Sequence, residues 1–183
     1  MRSIILAARG LVAAAAVTTV GAGTVVLGAA APSPAAQTGP TSAVETHLEK
    51  GIVLECTGEA RGLSAYVNLY ENDVFTNYVQ VVLDDNPRLA ASREPKNIWS
   101  DGVVRSSVTI KGKKATIVGS ASKTGKRTPV HEEIDDAGNL VVSDGWHRRL
   151  ENDLVLAYAG KTVELTCDPA FFYKLEVTKT PVV

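Results

Sequence analysis

From Gly51 onward, apolar and polar positions alternate in short runs broken by turn-forming residues. The runs are rich in Val, Ile, Thr and Tyr: "GIVLECTG", "LSAYVNLYE", "VFTNYVQVVL", "GVVRSSVTIKG", "KATIVGSAS", "RTPVHEEID", "NLVVSDGW", "DLVLAYAG", "KTVELTC" and "FYKLEVTK". A period of two sends successive side chains to opposite faces of a strand. Val104, Val108 and Ile110 then share one face, while Arg105, Ser107, Thr109 and Lys111 share the other. Turn chemistry separates the runs at Glu71 to Asp73, "KGKK", "DDAGN" and "AGKT", and Gly in the last three supplies the positive φ of tight hairpins. No long window after the leader keeps a 3.6 period. The pattern predicts an all-β domain, a single antiparallel β-barrel or β-sandwich of about 8–10 strands. The longest turn-like stretch, "DDNPRLAASREPKNIWSDG" from Asp84 to Gly102, reads as a loop with one short helical turn around Leu89 to Ser92.

The N-terminal third is of a different texture. Residues 1–36 hold Arg2 and Arg9, no acid, and a long apolar stretch, "GLVAAAAVTTVGAGTVVLGAAA", ending in small residues. A basic start, an apolar middle and A-x-A-like small residues make a secretory signal peptide, cleaved near 30–36. Residues 37–49, "QTGPTSAVETHLE", read as a flexible polar linker, and 50–183 as the single β-domain. The expected product is secreted or cell-wall associated, with no membrane attachment after cleavage. Loss of the two leader arginines moves the formal net charge from −1 to −3. The basic groups nowhere exceed "KGKK" or "HRR", so no nucleic-acid partner is expected.

Cys56 and Cys167 are the two cysteines. In an exported chain such a pair reads as one intrachain disulfide. Ile52, Leu54 and Cys56 are in phase, as are Val163, Leu165 and Cys167, so both thiols point inward. A bond between them is expected to cross the interior, closing a loop of about 110 residues.

Candidate chemistry is sparse. "PVHEEIDDAGN", Pro129 to Asn139, packs one histidine and four acids ahead of a glycine turn. In strand phase, Val130, Glu132 and Ile134 fall on one face, the expected inner one. His131, Glu133 and Asp135 fall on the other. Depending on register, His131 lies across from Ser143 or Asp144. His131, Glu132, Glu133 and Asp144 thus form a polar cluster that suits either an exposed cross-strand network or, with imidazole and carboxylate, a metal. No second histidine stands at ligand spacing, so no metal is assigned. "SDGWHRRLEND" contains Trp146, His147, Arg148 and Arg149, residue types that dominate binding hot spots. Trp99 sits where the long loop returns to a strand and is a further ligand-binding candidate. No G-x-S-x-G elbow, P-loop or G-x-G-x-x-G is present, so no catalytic residue and no cofactor is assigned. Aromatic residues, at 5 %, are thin for a sugar-binding groove.

The leader "LVAAAAVTTVGAG" together with the cysteine pair resembles exported proteins of high-GC Gram-positive bacteria. The outline is also similar to that of small periplasmic lysozyme inhibitors, whose disulfide ties an early strand to a late one as "VLEC" and "ELTC" would, though their other motif residues are missing. Lipocalin-type barrels share the strand count, but no G-x-W opens the first strand. Fold outline does not carry function. The residues favour a non-enzymatic, monomeric binding module for a protein partner or a small apolar ligand. A hydrolase with a site near His131, Glu133 and Asp144 and a structural envelope component are the alternatives.

Overall fold

The computed structural model describes residues 43–182. The expected leader and the first six residues of the expected linker lie outside them. Ten strands follow in order: β1 (Glu45–Ala60), β2 (Leu63–Asn72), β3 (Tyr78–Leu83), β4 (Asn86–Arg93), β5 (Trp99–Ser100), β6 (Val103–Ile110), β7 (Lys113–Lys123), β8 (Thr128–Asp136), β9 (Asn139–Tyr158) and β10 (Lys161–Pro181). They form one antiparallel sheet in the order β4-β3-β2-β1-β10-β9-β7-β6-β5, with β8 added on β9. The sheet curls into a half-barrel.

Tight turns dominate the connections. Arg61-Gly62, Asp84-Asp85, Asp101-Gly102, Lys111-Gly112, Ala137-Gly138 and Ala159-Gly160 each place two successive residues at positive φ. That is the geometry of two-residue hairpins, whose twist matches the strands they join. Asp84-Asp85 manages it without glycine. The Asp84 carboxylate accepts the Ser64 N–H at 3.0 Å, and the Asp84 N–H donates to the Ser64 carbonyl at 3.0 Å.

Strand alternation builds the core. Along β2, Leu63, Ala65, Val67 and Leu69 are buried inside the curl, while Ser64, Tyr66, Asn68 and Tyr70 face outward. Ile52, Leu54, Val79, Leu83, Ile117, Leu154 and Leu156 join them, all 0–1 % exposed. At the middle of β1 and β10 both faces are covered. Residues 51–54 and 170–173 are buried without interruption. Gly51 stands at this crossing because a Cβ there would sit 1.7 Å from the Glu71 carbonyl oxygen and 2.8 Å from the Tyr173 hydroxyl.

Several expectations change. "NLVVSDGW" and "DLVLAYAG" merge into β9, and "KTVELTC" and "FYKLEVTK" merge into β10. Each strand runs past the polar residues that looked like a break, because one of its edges stays paired there, β9 with β7 and β10 with β1. The stretch from Asp84 to Gly102 is not one loop. Leu89 to Ser92 lie in β4, with Ala90, Ala91 and Ser92 paired to β3, and form no helical turn. Residues 45–49, expected in the linker, form the start of β1 opposite Leu175 to Lys179 on β10.

Cys56 and Cys167 are disulfide-bonded. They are directly opposed residues on adjacent strands β1 and β10, beside a register shift. The bond therefore clips two neighbours together and does not cross the interior. Both cysteines face the core, as their phase indicated. For their sequence separation of 111, the chain-entropy model gives about 4–5 kcal/mol. We predict that guanidinium unfolding with reductant moves to a lower midpoint by a free energy of that order. An unchanged midpoint would show that the clip adds nothing to the ladder it spans.

Candidate functional site

β9 and β10 are long enough to belong to two sub-sheets. Their Asn139–Tyr158 and Lys161–Pro181 spans carry the body of the half-barrel at one end and, at the other, a four-stranded arm ordered β8-β9-β10-β1. In the arm the face continuous with the core carries Trp146, Arg148 and Phe172. The outer face carries His147, Arg149, Phe171 and Tyr173.

The register answers the question of "PVHEEIDDAGN". His131 opposes Asp144, and Glu132 opposes Ser143. His131 Nδ1 lies 2.6 Å from Asp144 Oδ1, and its Nε2 lies 3.4 Å from Glu133 Oε1. With a carboxylate at each ring nitrogen, the imidazolium can donate both ways. The hydrogen bond to Asp144 raises the His131 pKa above its ordinary 6.5, helped by the charges of Asp144 and Glu133. Val130, Glu132 and Ile134 lie on the outer face of the arm, not the inner one expected. The phase of β8 is set by β9, whose core-facing residues are Trp146, Arg148 and Leu150. Glu132 is half-buried on a strand paired on one side only, which explains how an acid sits between two apolar residues.

The cluster "WHRR" is divided by the same alternation. Trp146 and Arg148 face inward; His147 and Arg149 face outward, where His147 meets the edge of Phe171 at 5.4 Å. Trp99 joins Trp146 from far along the chain. Both pack on Phe172, with ring centroids at 6.0 and 5.7 Å. Glu71 positions Trp99 by accepting the backbone N–H groups of Ile98 and Trp99, and the indole N–H donates to the Ala121 carbonyl at 2.9 Å. Lys123 Nζ stands 3.5 Å from the Phe172 centroid, and Arg127 Cζ 4.3 Å from that of Trp146. Such cation–π contacts contribute about 0.5–2 kcal/mol each. The Arg148 Nε–H donates to the Thr124 carbonyl at 3.4 Å. Phe172, Lys123, Arg127 and Glu71 were not singled out from the sequence. Phe172 had a signal: in "AFFYK" only one of the two Phe residues can share a face with Ala170.

The outer face holds a polar network that the linker reading hid. The buried Asn72 amide is 2.8 Å from Glu49 Oε2, 2.9 Å from the Tyr70 hydroxyl and 2.7 Å from the Tyr173 hydroxyl. Its two hydrogens serve these three acceptors. Its Oδ1 accepts the N–H groups of Val74 and Phe75 at 2.7 and 3.1 Å. Burial raises the pKa of Tyr173 strongly and that of Tyr70 as well. The network fastens the β2–β3 connection over the middle of β1 and β10. Open hollows of ≈ 500 and ≈ 600 Å³ lie elsewhere, one lined by Ser92, Arg93 and Ser107, the other by Arg149, Glu151 and Thr166.

No protein-family model matches the chain, and no curated protein matches it. Comparison with solved structures returns a crystal structure from Nitrosomonas europaea, provisionally described as an AttH, at 9 % identity and a TM-score of 0.33. The alignment covers 74 % of this chain and 52 % of that one. A likeness of that strength carries no argument here.

Two predictions follow from this geometry. His131 should titrate above 6.5 by NMR, and Asp144→Asn should bring it down. Because the folded pKa is raised, the stabilisation is complete below the unfolded pKa and fades as pH rises through the folded value. A His131 titration unmoved by Asp144→Asn would refute the pairing. Asn72→Ala should cost about 1–3 kcal/mol in denaturant unfolding, since it strands buried donors and acceptors; a change under half a unit would assign the network no structural weight.

Proposed function

We propose that the protein is an exported, non-enzymatic binding module and that its partner docks on the inner face at the base of the arm. One observation carries this reading. Trp99, Trp146 and Phe172 converge from three distant parts of the chain beneath Lys123 and Arg127, with Arg148 in the next place along β9. Trp and Arg brought together at a partly open surface are the composition of a binding hot spot. Export is supported by the leader pattern and by the disulfide, a bond that persists in oxidising compartments.

The filled interior favours a macromolecule over a small apolar ligand. Core side chains such as Ile52, Leu54, Val67 and Leu156 occupy the curl. The hydrolase alternative draws less support. His131 has a carboxylate at each ring nitrogen in open water, and Ser143 faces the other side of the arm. With both ring nitrogens engaged by carboxylates, the imidazole has neither nitrogen turned to a substrate proton.

Cross-linking of the purified chain to components of its extracellular fraction, read by mass spectrometry, tests the proposal. Partner cross-links should map to the arm base. Trp146→Ala or Arg148→Ala should weaken the partner's affinity by about 2 kcal/mol, near thirtyfold, and His131→Ala should leave it unchanged. The opposite pattern, with hydrolysis lost in His131→Ala, would favour the enzyme reading.

A further inference from the structure

The arm base presents its side chains in rows. Lys50, Lys174, Trp146 and Pro129 are cross-strand neighbours in one row, and Ile52, Phe172 and Arg148 are neighbours in the next. The rows are two residues apart along each strand, about 7 Å. Lys123 enters from β7 over Phe172, and Arg127 from the β7–β8 connection over Trp146.

These cations lack counter-charges. Among the described residues, Lys123, Arg127, Arg148 and Lys174 have no carboxylate within 4.0 Å; Lys50 pairs with Asp73 at 3.7 Å. The charges acting on Lys123 are those of Arg148 and Lys50, which, after burial, lower its pKa. Elsewhere the chain does supply partners, as at His131 and at Lys179 with Asp136. Mutually repelling cations beside an aromatic floor gain free energy from an arriving carboxylate. Guanidinium groups take carboxylates in bidentate fashion, and a local cluster of positive charge at the arm base, one row in from Asp144 and Glu176, speeds encounter with an acidic partner.

Shape narrows the partner. The surface is an open sheet face, not the enclosed cavity that small ligands occupy. An extended peptide also repeats at about 7 Å for alternate side chains on one face. Carboxylates at positions i and i+2 would meet the Lys50/Lys174 row and the Arg148/Lys123 row together. A second copy of this chain fits less well. Four strands over the arm's length offer roughly 500 Å², short of the about 800 Å² per partner of a stable interface.

We infer that this face, on the binding reading above, takes an extended acidic segment of a protein partner with carboxylates at alternate positions. Fluorescence anisotropy with the full chain and a labelled Glu-Thr-Glu-Thr-Glu-Thr-Glu peptide tests it, against the same peptide with Gln for Glu. The Glu peptide should bind at low salt and the Gln peptide about tenfold more weakly or worse. Lys123→Gln and Arg127→Gln, both at exposed residues, should each weaken binding about three- to tenfold. Arg149→Gln, on the outer face, should leave it unchanged. The inference is overturned by equal binding of the two peptides, or by Arg149→Gln costing as much as Lys123→Gln. Tighter binding of polygalacturonate would reassign the face to a polysaccharide, and self-association abolished by Lys123→Gln would reassign it to a second copy; either also overturns it. If the Glu peptide fails while partner cross-links still depend on Trp146, the acid preference falls and the binding face stands. If Trp146→Ala leaves those cross-links intact, the binding face itself falls.

Discussion

The pairing of β1 with β10 is the constraint on which the other elements depend. It joins residues 45–57 to residues 166–179 across almost the whole domain sequence. β2, β3 and β4 reach the sheet through β1, and β9 with its neighbours reaches it through β10. The joint is buried on both sides. Ile52, Leu54 and Phe172 face the core; Val53, Phe171 and Tyr173 lie under the outer network. Bringing such distant segments together is opposed by loop-closure entropy, and the Cys56–Cys167 bond removes much of that opposition once formed.

Continuous pairing also explains where the chemistry falls. Because β9 runs unbroken from Asn139 to Tyr158, Trp146 and Arg148 inherit the phase of Leu150 and Leu154 and point inward. His147 and Arg149 must then point outward. β9 and β10 part company between Leu165 and Phe171, where β10 keeps its ladder to β1 while β9 keeps its ladder to β7. The aromatic floor lies just beyond that parting. There the curl of the body ends and the open arm begins, so one strand face passes from core to accessible surface within a few residues.

Much of this was legible in the residues. Period-two alternation identified an all-β chain, the lone cysteine pair behind an export-type leader pointed to the disulfide, and three X-Gly turns were marked by their glycines. What was not legible depended on distant partners. Asp84-Asp85 turns without glycine because Ser64 holds the Asp84 side chain. Residues 45–49 look like linker until β10 lies beside them. The face of Glu132 was misjudged because two apolar neighbours on an edge strand look like a core stripe. The gathering of Trp99, Trp146, Phe172 and Lys123 has no local signature, since each residue is placed by a different pair of strands. The His131–Asp144 pair was one of two registers that the hairpin allowed, and the Ala137-Gly138 turn selects it.

The antiparallel ladder has a mechanical meaning. The start of β1 and the end of β10 lie side by side, with Glu45 opposite Lys179. A force drawing those two strand ends apart would load the ladder one residue pair after another, as a zipper is opened, instead of shearing many hydrogen bonds at once. Peeling would travel down the arm through Lys50 and Lys174 and reach Cys56 and Cys167, where a covalent bond stands in its way. The arm is thus the compliant part of the molecule under tension, and the disulfide is the stop that keeps such a load from entering the curled body.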